Sequence, residues 1–351
     1  QAIAAIDPEA QFEGIGAQRM RDAGFRLWRD HTGWASMGPL AAIPRIPKLL
    51  ATMLRTALHL GSDPPDVVVL VDFGVFNLRL AKQLRRQRYD GPIVDVFPPG
   101  AWLDSARTAR VVASVAVPLT AFAHQRDFYQ SLGLPVVYFG HPLAGQYRLR
   151  PPREAPPLDG GTVALLPGSR AGELRRHLPP LCAAYRLLKA QRPHLRGIFG
   201  AADARGAKTI AAAIAREGLQ DATIFNGVAA AIAEADGAWV ASGTAVLETA
   251  LSGVPSVALY VITPILVKHG RGMIKHRYIT LPNLVLGRKV VPELLQEEAT
   301  PERLAAEMER ALRDPSVQYE QFAQLQPALG PNDALDRCAA FVVALAKAGH
   351  R

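Results

Sequence analysis

The stretch Ala238-Trp239-Val240-Ala241-Ser242-Gly243-Thr244-Ala245-Val246-Leu247-Glu248 decides how this chain is read. An apolar run ends in a small polar turn, and a helical pattern from Ala245 to Leu251 opens directly after it. Such a helix start leaves backbone N–H groups without partners, and the helix dipole adds positive potential there. The preferred guest is an anion such as a diphosphate. Gly243 lets the backbone approach that guest closely. Ser242 and Thr244 offer hydroxyls, and Glu248, one turn further in, can accept from a ribose diol. The plainer alternative makes Ser242 or Thr244 an N-cap and Glu248 a first-turn carboxylate.

A second turn of this kind is Leu166-Pro167-Gly168-Ser169-Arg170-Ala171-Gly172-Glu173. There Gly168 frees the turn, Ser169 can cap the helix, and Arg170 can fork two hydrogen bonds onto a phosphate. Between and beyond these turns, short apolar strands alternate with helices: strand 162–166, helix 173–191, strand 197–199, helix 209–217, strand 222–225, helix 228–235, strand 238–241 and strand 256–260. This alternation predicts a Rossmann-like domain over 162–325. Leu281-Pro282-Asn283-Leu284 and Val291-Pro292-Glu293-Leu294-Leu295-Gln296 flank a loop in it, where Asn283 and Gln296 have the paired donor and acceptor groups that read a uracil edge.

The first half, 1–147, repeats the pattern more loosely. Asp66 to Val71 reads as a buried parallel strand delivering Asp72 at its carboxyl end, where open α/β sheets place ligands. Asp72 is a candidate general base or a helix cap. A helix from Asn77 to Arg86 follows, then strands over 93–96, 111–117 and 136–139. Gly140-His141-Pro142 reads as a rigid turn or a site histidine. The proline- and glycine-rich run 148–161 reads as a linker, and residues 326–351 as helix folding back onto the first domain. Two Rossmann-like domains joined in this way predict a ligand cleft between them. The stretch 38–60 interleaves Leu40, Ile43, Leu50 and Leu54 with Arg45, Lys48 and Arg55, the pattern of a membrane-surface helix or of one packed on the core.

Composition narrows the class. At 351 residues, 49% hydrophobic and 20% charged, the chain has material for two folded domains. Without an apolar run of 18 residues, no membrane-spanning helix is expected. Cys182 and Cys338 lack metal-ligand spacing and read as core thiols. His177, His194 and the run Lys268-His269…Lys275-His276-Arg277 also lack zinc spacing. A net charge of +9 asks for an acidic partner. Scattered arginines and the lack of a zinc-finger, RNP or basic-helix signature point away from nucleic acid, toward phosphorylated substrates or an anionic lipid face.

Taken together, these residues resemble the lipid-A-disaccharide synthase family. The resemblance rests on Leu165-Leu166-Pro167-Gly168-Ser169-Arg170 with Glu173, Ala241-Ser242-Gly243-Thr244 with Glu248, Leu281-Pro282-Asn283-Leu284, and Val291-Pro292-Glu293 with Gln296. In the first half it rests on Asp72-Phe73-Gly74-Val75-Phe76-Asn77, Gly140-His141-Pro142-Leu143-Ala144 and Ser36-Met37-Gly38. It implies an α/β GT-B fold: two Rossmann-like domains facing across a cleft, with the closing helices crossing back. It implies inverting transfer from a UDP-sugar donor, UDP-2,3-diacylglucosamine, to an acylated glucosamine phosphate acceptor, 2,3-diacylglucosamine 1-phosphate. No metal or cofactor takes part. By the same resemblance Asp72 is the base on the acceptor 6-hydroxyl. Arg170, Ser169, Ser242, Gly243 and Thr244 hold the diphosphate, Glu248 the ribose, and Asn283, Glu293 and Gln296 the rest of the nucleotide. The implied location is cytoplasmic, peripheral on the inner-membrane surface through 38–60, and a homodimer is among the expected assemblies.

Several departures fall in the acceptor half. The sequence begins after the family's first strand and its Gly-Glu-x-Ser-Gly-Asp loop. Val75 stands where the family has a second acid, Pro99-Gly100-Ala101-Trp102-Leu103-Asp104-Ser105 replaces Pro-Ser-x-Trp-Ala-Trp-Arg, and Ala123-His124-Gln125 replaces Pro-Phe-Glu. They keep two rivals open: a GT-B transferase or nucleotide-sugar epimerase with another substrate, and a membrane-associated nucleotide-sugar-binding paralogue without turnover.

Overall fold

The computed structural model describes residues 1–30, 46–99, 105–151, 154–263 and 277–349. Ser36-Met37-Gly38, the first part of the basic stretch (38–45), residues 100–104 of the altered Trp102 segment and Lys268-His269…Lys275-His276 lie outside the described residues. The chain divides into two compact units: Gln1–Gly145 with Leu329–Arg351, and Gln146–Ala328.

The first unit opens with α1 (Ala2–Ile6), β1 (Glu13–Gly16), α2 (Gln18–Asp22) and β2 (Arg26–Asp30), followed by α3 (Ile46–Ser62). Next come β3 (Val68–Val71), α4 (Gly74–Arg86), β4 (Ile93–Val96), α5 (Ala106–Val115), β5 (Val117–Thr120), α6 (Ala123–Ser131) and β6 (Val137–Tyr138). Strands β3-β4-β5-β6 lie side by side in that order, all parallel, while β1 and β2 pair with each other.

Two sequence expectations need correction here. The run Val111 to Val117 is not one strand. Ser105 caps a helix by accepting from the Thr108 amide, and Ala109 and Val112 bury one face of it; only Val117 onward is extended. A cap and an i, i+3 apolar pair outweigh β-branched propensity. The second correction concerns β3, which is buried on one face alone. Val68 and Leu70 are covered, but Val69 and Val71 stay exposed.

The second unit contains β7 (Thr162–Leu166), α7 (Ala171–Gln191), β8 (Arg196–Ala201), α8 (Ala204–Glu217), β9 (Thr223–Asn226), α9 (Val228–Ala233), β10 (Gly237–Ala241), α10 (Thr244–Leu251) and β11 (Ser256–Tyr260). Then follow α11 (Leu281–Leu286), β12 (Glu293–Leu295), α12 (Pro301–Arg313), α13 (Ser316–Phe322) and α14 (Leu325–Leu329). Its parallel sheet runs β12-β11-β10-β7-β8-β9. Every residue of β7 and β10 is buried, as expected for central strands covered on both faces. Residues 281–286 and 293–295, read from sequence as the edges of a loop, are helix α11 and edge strand β12.

The run 148–161 belongs to the second unit and is tied to it. Arg150 donates to the carbonyls of Ile232 and Ala233, and Arg192 to those of Pro157 and Gly160. The closing helix α15 (Ala334–Ala348) belongs to the first unit, where it packs on α1.

Candidate active site

In the second unit, the turn read first in the sequence forms as expected. Gly243 sits at φ 158° and ψ −163°, a backbone region that residues with a Cβ avoid, and it is the N-cap of α10. No side chain among the described residues caps this helix. Ser242 is anchored through its amide to the Leu259 carbonyl at 3.0 Å, and Gly243 and Thr244 are exposed. The opening of α10 therefore presents first-turn amides that no acidic side chain of that turn occupies, the arrangement that favours an anion. Glu248, half-buried one turn in, accepts from the Tyr147 hydroxyl at 2.9 Å. Nothing in the sequence announced Tyr147, because the pair is separated by 101 positions.

The twin turn before α7 differs. The sequence reading made Ser169 its cap, but the Glu173 carboxylate takes that role, accepting from the amides of Ser169 (3.0 Å) and Arg170 (3.1 Å). Its other oxygen accepts from Arg170 Nη1 at 2.8 Å. Gly168, at φ 104°, is required because a Cβ there would lie 2.5 Å from the Glu173 carboxylate. The amides that an anion would use at this turn are occupied, so what the turn offers a phosphate is the half-exposed Arg170 guanidinium.

Behind the Gly168 turn lies His177, which is fully buried. Its Nδ1 donates to the Pro167 carbonyl at 2.8 Å, and its Nε2 accepts from the Val261 amide at 3.0 Å. Burial lowers its pKa although both backbone bonds oppose the shift. A histidine depressed in the folded state contributes stability above its unfolded pKa and loses it as pH falls. Wild-type thermal stability should therefore drop from pH 7 to pH 5.5, and His177→Gln should flatten that drop in a melting series. An unchanged slope would remove His177 from the account.

Asn283 is the clearest case where tertiary structure reassigns a residue. It is fully buried, its amide nitrogen donates to the Val291 carbonyl and Glu293 Oε1, and its oxygen accepts from the amides of Val290 and Val291. Glu293 in turn accepts from the amides of Ile279 and Thr280 and from the Thr280 hydroxyl. Both side chains are spent on tying residues 279–293 together, which leaves Asn283 no edge for a base. Gln296, at φ 53°, accepts through Oε1 from the Ile262 amide at 3.2 Å.

In the first unit, Asp72 follows β3 and is exposed. Asp72 and Phe73 both adopt left-handed backbone, at φ 51° and 42°. Two consecutive non-glycine residues there are strained, and such strain persists only where the surroundings enforce it. Asn77 supplies the clamp: its Nδ2 donates to the carbonyls of Val71 (3.2 Å) and Asp72 (2.6 Å). The motif spacing Asp72…Phe76-Asn77 thus has a mechanical reason, since the asparagine fixes the turn that presents the aspartate. Val75 is 71% exposed on the same turn. His141 behaves as part of a rigid turn. It is buried beside the Phe122 ring, its Nδ1 accepts from the Leu143 amide, and burial pulls its pKa down to about 4.

A parallel-sheet Rossmann-like unit with a free helix opening, together with a second Rossmann-like unit presenting a strand-end acid, defines the GT-B class. In fold the chain is similar to UDP-GlcNAc 2-epimerase from Neisseria meningitidis bound to UDP-GlcNAc (TM-score 0.60, 9% identity, covering 95% of this chain and 100% of that one). It is similar in the same way to the S. aureus MnaA–UDP co-structure (TM-score 0.59, 11% identity, 95% and 97% covered). At such identities the likeness concerns the fold alone.

Sequence comparison is more specific. Residues 1–329 match the family model described as lipid-A-disaccharide synthetase. The lipid-A-disaccharide synthase of Myxococcus xanthus (strain DK1622) is 34% identical, over 99% of this chain and 93% of the relative. That of Geobacter sulfurreducens is 32% identical over 96% and 90%. The chain belongs to the lipid-A-disaccharide synthetase family, and it is a glycosyltransferase.

Proposed function

We propose that this glycosyltransferase joins UDP-2,3-diacylglucosamine to 2,3-diacylglucosamine 1-phosphate, forming the lipid A disaccharide and releasing UDP. The observation that carries the reading is the uncapped opening of α10 after β10, in a chain of this family. The diphosphate lies on the amides of that opening with the Ser242 and Thr244 hydroxyls, and Arg170 neutralises it from the neighbouring turn. Glu248, oriented by Tyr147, accepts from the ribose. Asn283 and Glu293 act by shaping the segment around the base, and Gln296 by fixing residue 262.

Asp72 takes the proton of the acceptor 6-hydroxyl. That oxygen forms the new bond to the anomeric carbon from the face opposite UDP, the old carbon–oxygen bond breaks, and its electron pair leaves on the diphosphate. Helix N–H groups and a guanidinium are suited to that growing charge. The test is incubation of the full chain with both diacyl substrates and detection of disaccharide and UDP. UDP binding without product from any acylated acceptor would overturn the reading, as would UDP release with non-lipid acceptors alone.

For membrane contact, the proposed surface is α3 at the cytoplasmic face of the inner membrane. Ile46, Leu50, Leu54 and Leu58 recur every fourth residue and are 42–63% exposed, with Lys48 and Arg55 exposed beside them. Met53, Ala57 and Leu60 of the same helix are buried in the core. No helix among the described residues is long and apolar enough to cross a membrane, so an in-plane amphipathic contact is the mode that fits. Replacing Leu50, Leu54 and Leu58 by serine should cut sedimentation with anionic vesicles at least ~10-fold, each leucine being worth about 1.5–3 kcal/mol when fully buried. Detergent-solubilised turnover should survive. Undiminished vesicle binding would remove α3 from the contact.

A further inference from the structure

We propose that Asp95, Gln125 and Tyr129 enclose a site for ordered water beside the Asp72 strand end, and that Asp95 tunes acceptor binding from it through its own charge. This rests on the reading of Asp72 as the acceptor base. Asp95 lies within β4, paired with Leu70 of β3 and Pro118 of β5, and is 1% exposed. An acid inside a sheet needs a partner, yet among the described residues its Oδ1 has none, and neither do both amide atoms of Gln125 or the Tyr129 hydroxyl.

Gln125 and Tyr129 are fully buried and lie one helical turn apart on α6, hence on one face. Asp95 is close enough to Tyr129 to oppose ionisation of the phenol. Four orphaned atoms, donors and acceptors both, make the kind of setting in which buried water is retained.

The electrostatic link to Asp72 has a sign. Burial, and secondarily the Asp72 charge, push the Asp95 carboxyl up to about 7. Among the described residues, the titratable groups that couple to it are Asp72 beyond β3 and Tyr129 on α6. Strand β5 brings no titratable side chain, and Arg85 of α4 is turned to the carbonyls of Tyr89, Gly91 and Val115. Below about pH 7 the Asp95 carboxyl is therefore neutral. Above it a buried negative charge appears near the strand end to which a phosphorylated acceptor would come.

The test is a pH series of acceptor kinetics for the wild type and Asp95→Asn, which keeps shape and hydrogen-bonding capacity. The wild-type acceptor KM should rise severalfold above pH 7 with kcat little changed, and Asp95→Asn should abolish the rise while leaving UDP affinity intact. A purely structural Asp95 would alter thermal stability but leave the shape of the pH profile untouched, and that outcome overturns the inference. If the wild type makes no disaccharide, the proposed activity itself fails. The inference is then decided by carbon-13 NMR of the wild-type carboxyls: Asp95 titrating in the ordinary carboxylate range ends it, and titration near neutrality sustains it. A high-resolution crystal structure with the chamber dry would also end it.

Discussion

Asp72→Asn is expected to lower disaccharide formation by ~10²–10⁴-fold, the usual contribution of a positioned general base, with UDP affinity unchanged. The asparagine keeps the shape of the side chain and removes only the ability to take the acceptor proton. The strained turn should survive, because its clamp is made by the Asn77 side chain to backbone carbonyls and the Asp72 carboxylate takes no part in it. Initial rates at saturating substrates, alongside calorimetric titration of UDP, check the result. A variant retaining more than about half of wild-type turnover would contradict a general-base role on that scale. Asn77→Ala offers a contrast: the carboxylate remains, but its turn loses two hydrogen bonds, so kcat should fall together with thermal stability.

The largest effect on folding is expected at Arg192. Its side chain is fully buried, with Nε donating to Glu309 Oε2 at 2.6 Å, Nη2 to Oε1 at 3.2 Å, and Nη1 to the carbonyls of Pro157 and Gly160. One guanidinium thereby joins the end of α7, the 154–161 segment and α12. Arg192→Met should cost about 3–5 kcal/mol, the penalty of leaving a buried charge and its acceptors unpaired. For a unit of this size that corresponds to about 10 °C in Tm.

Removing both partners, as Arg192→Met with Glu309→Leu, should cost less than the single change, since no carboxylate is left with only its Arg313 bond. Burial pushes Glu309 up, but hydrogen bonds from Arg192 and Arg313 hold it below the ordinary glutamate value. The stability it contributes is present above the unfolded pKa and lost as acid protonates it. The gap between wild type and Arg192→Met should accordingly narrow toward pH 4, as thermal melts across pH would show.

How far the site could be read in advance varied with the range of the interactions involved. The α10 opening, the Gly168 turn and the exposed Asp72 depend on residues within one strand–turn–helix, where glycine placement and apolar runs act locally. Glu173 as the self-cap of α7 was also within reach, three positions after Arg170, but capping by its own carboxylate and capping by a ligand use the same amides and look alike in sequence. The run 111–117 misled because valines favour strands only where they can pack as strands, and Ser105 had already started a helix.

By itself, the sequence determined the doubly repeated α/β class, the family, and the small-residue turns that end β7 and β10, because backbone geometry and apolar periodicity are set by near neighbours. The tertiary structure alone decided which polar groups are already taken. Asn283 and Glu293 are satisfied by backbone 7–14 residues away, Glu248 by Tyr147, and Arg192 by Glu309, whereas Asp95 Oδ1 and the Gln125 amide have no partner among the described residues. Hydrogen-bond satisfaction in a packed interior depends on long-range proximity, which no local pattern encodes.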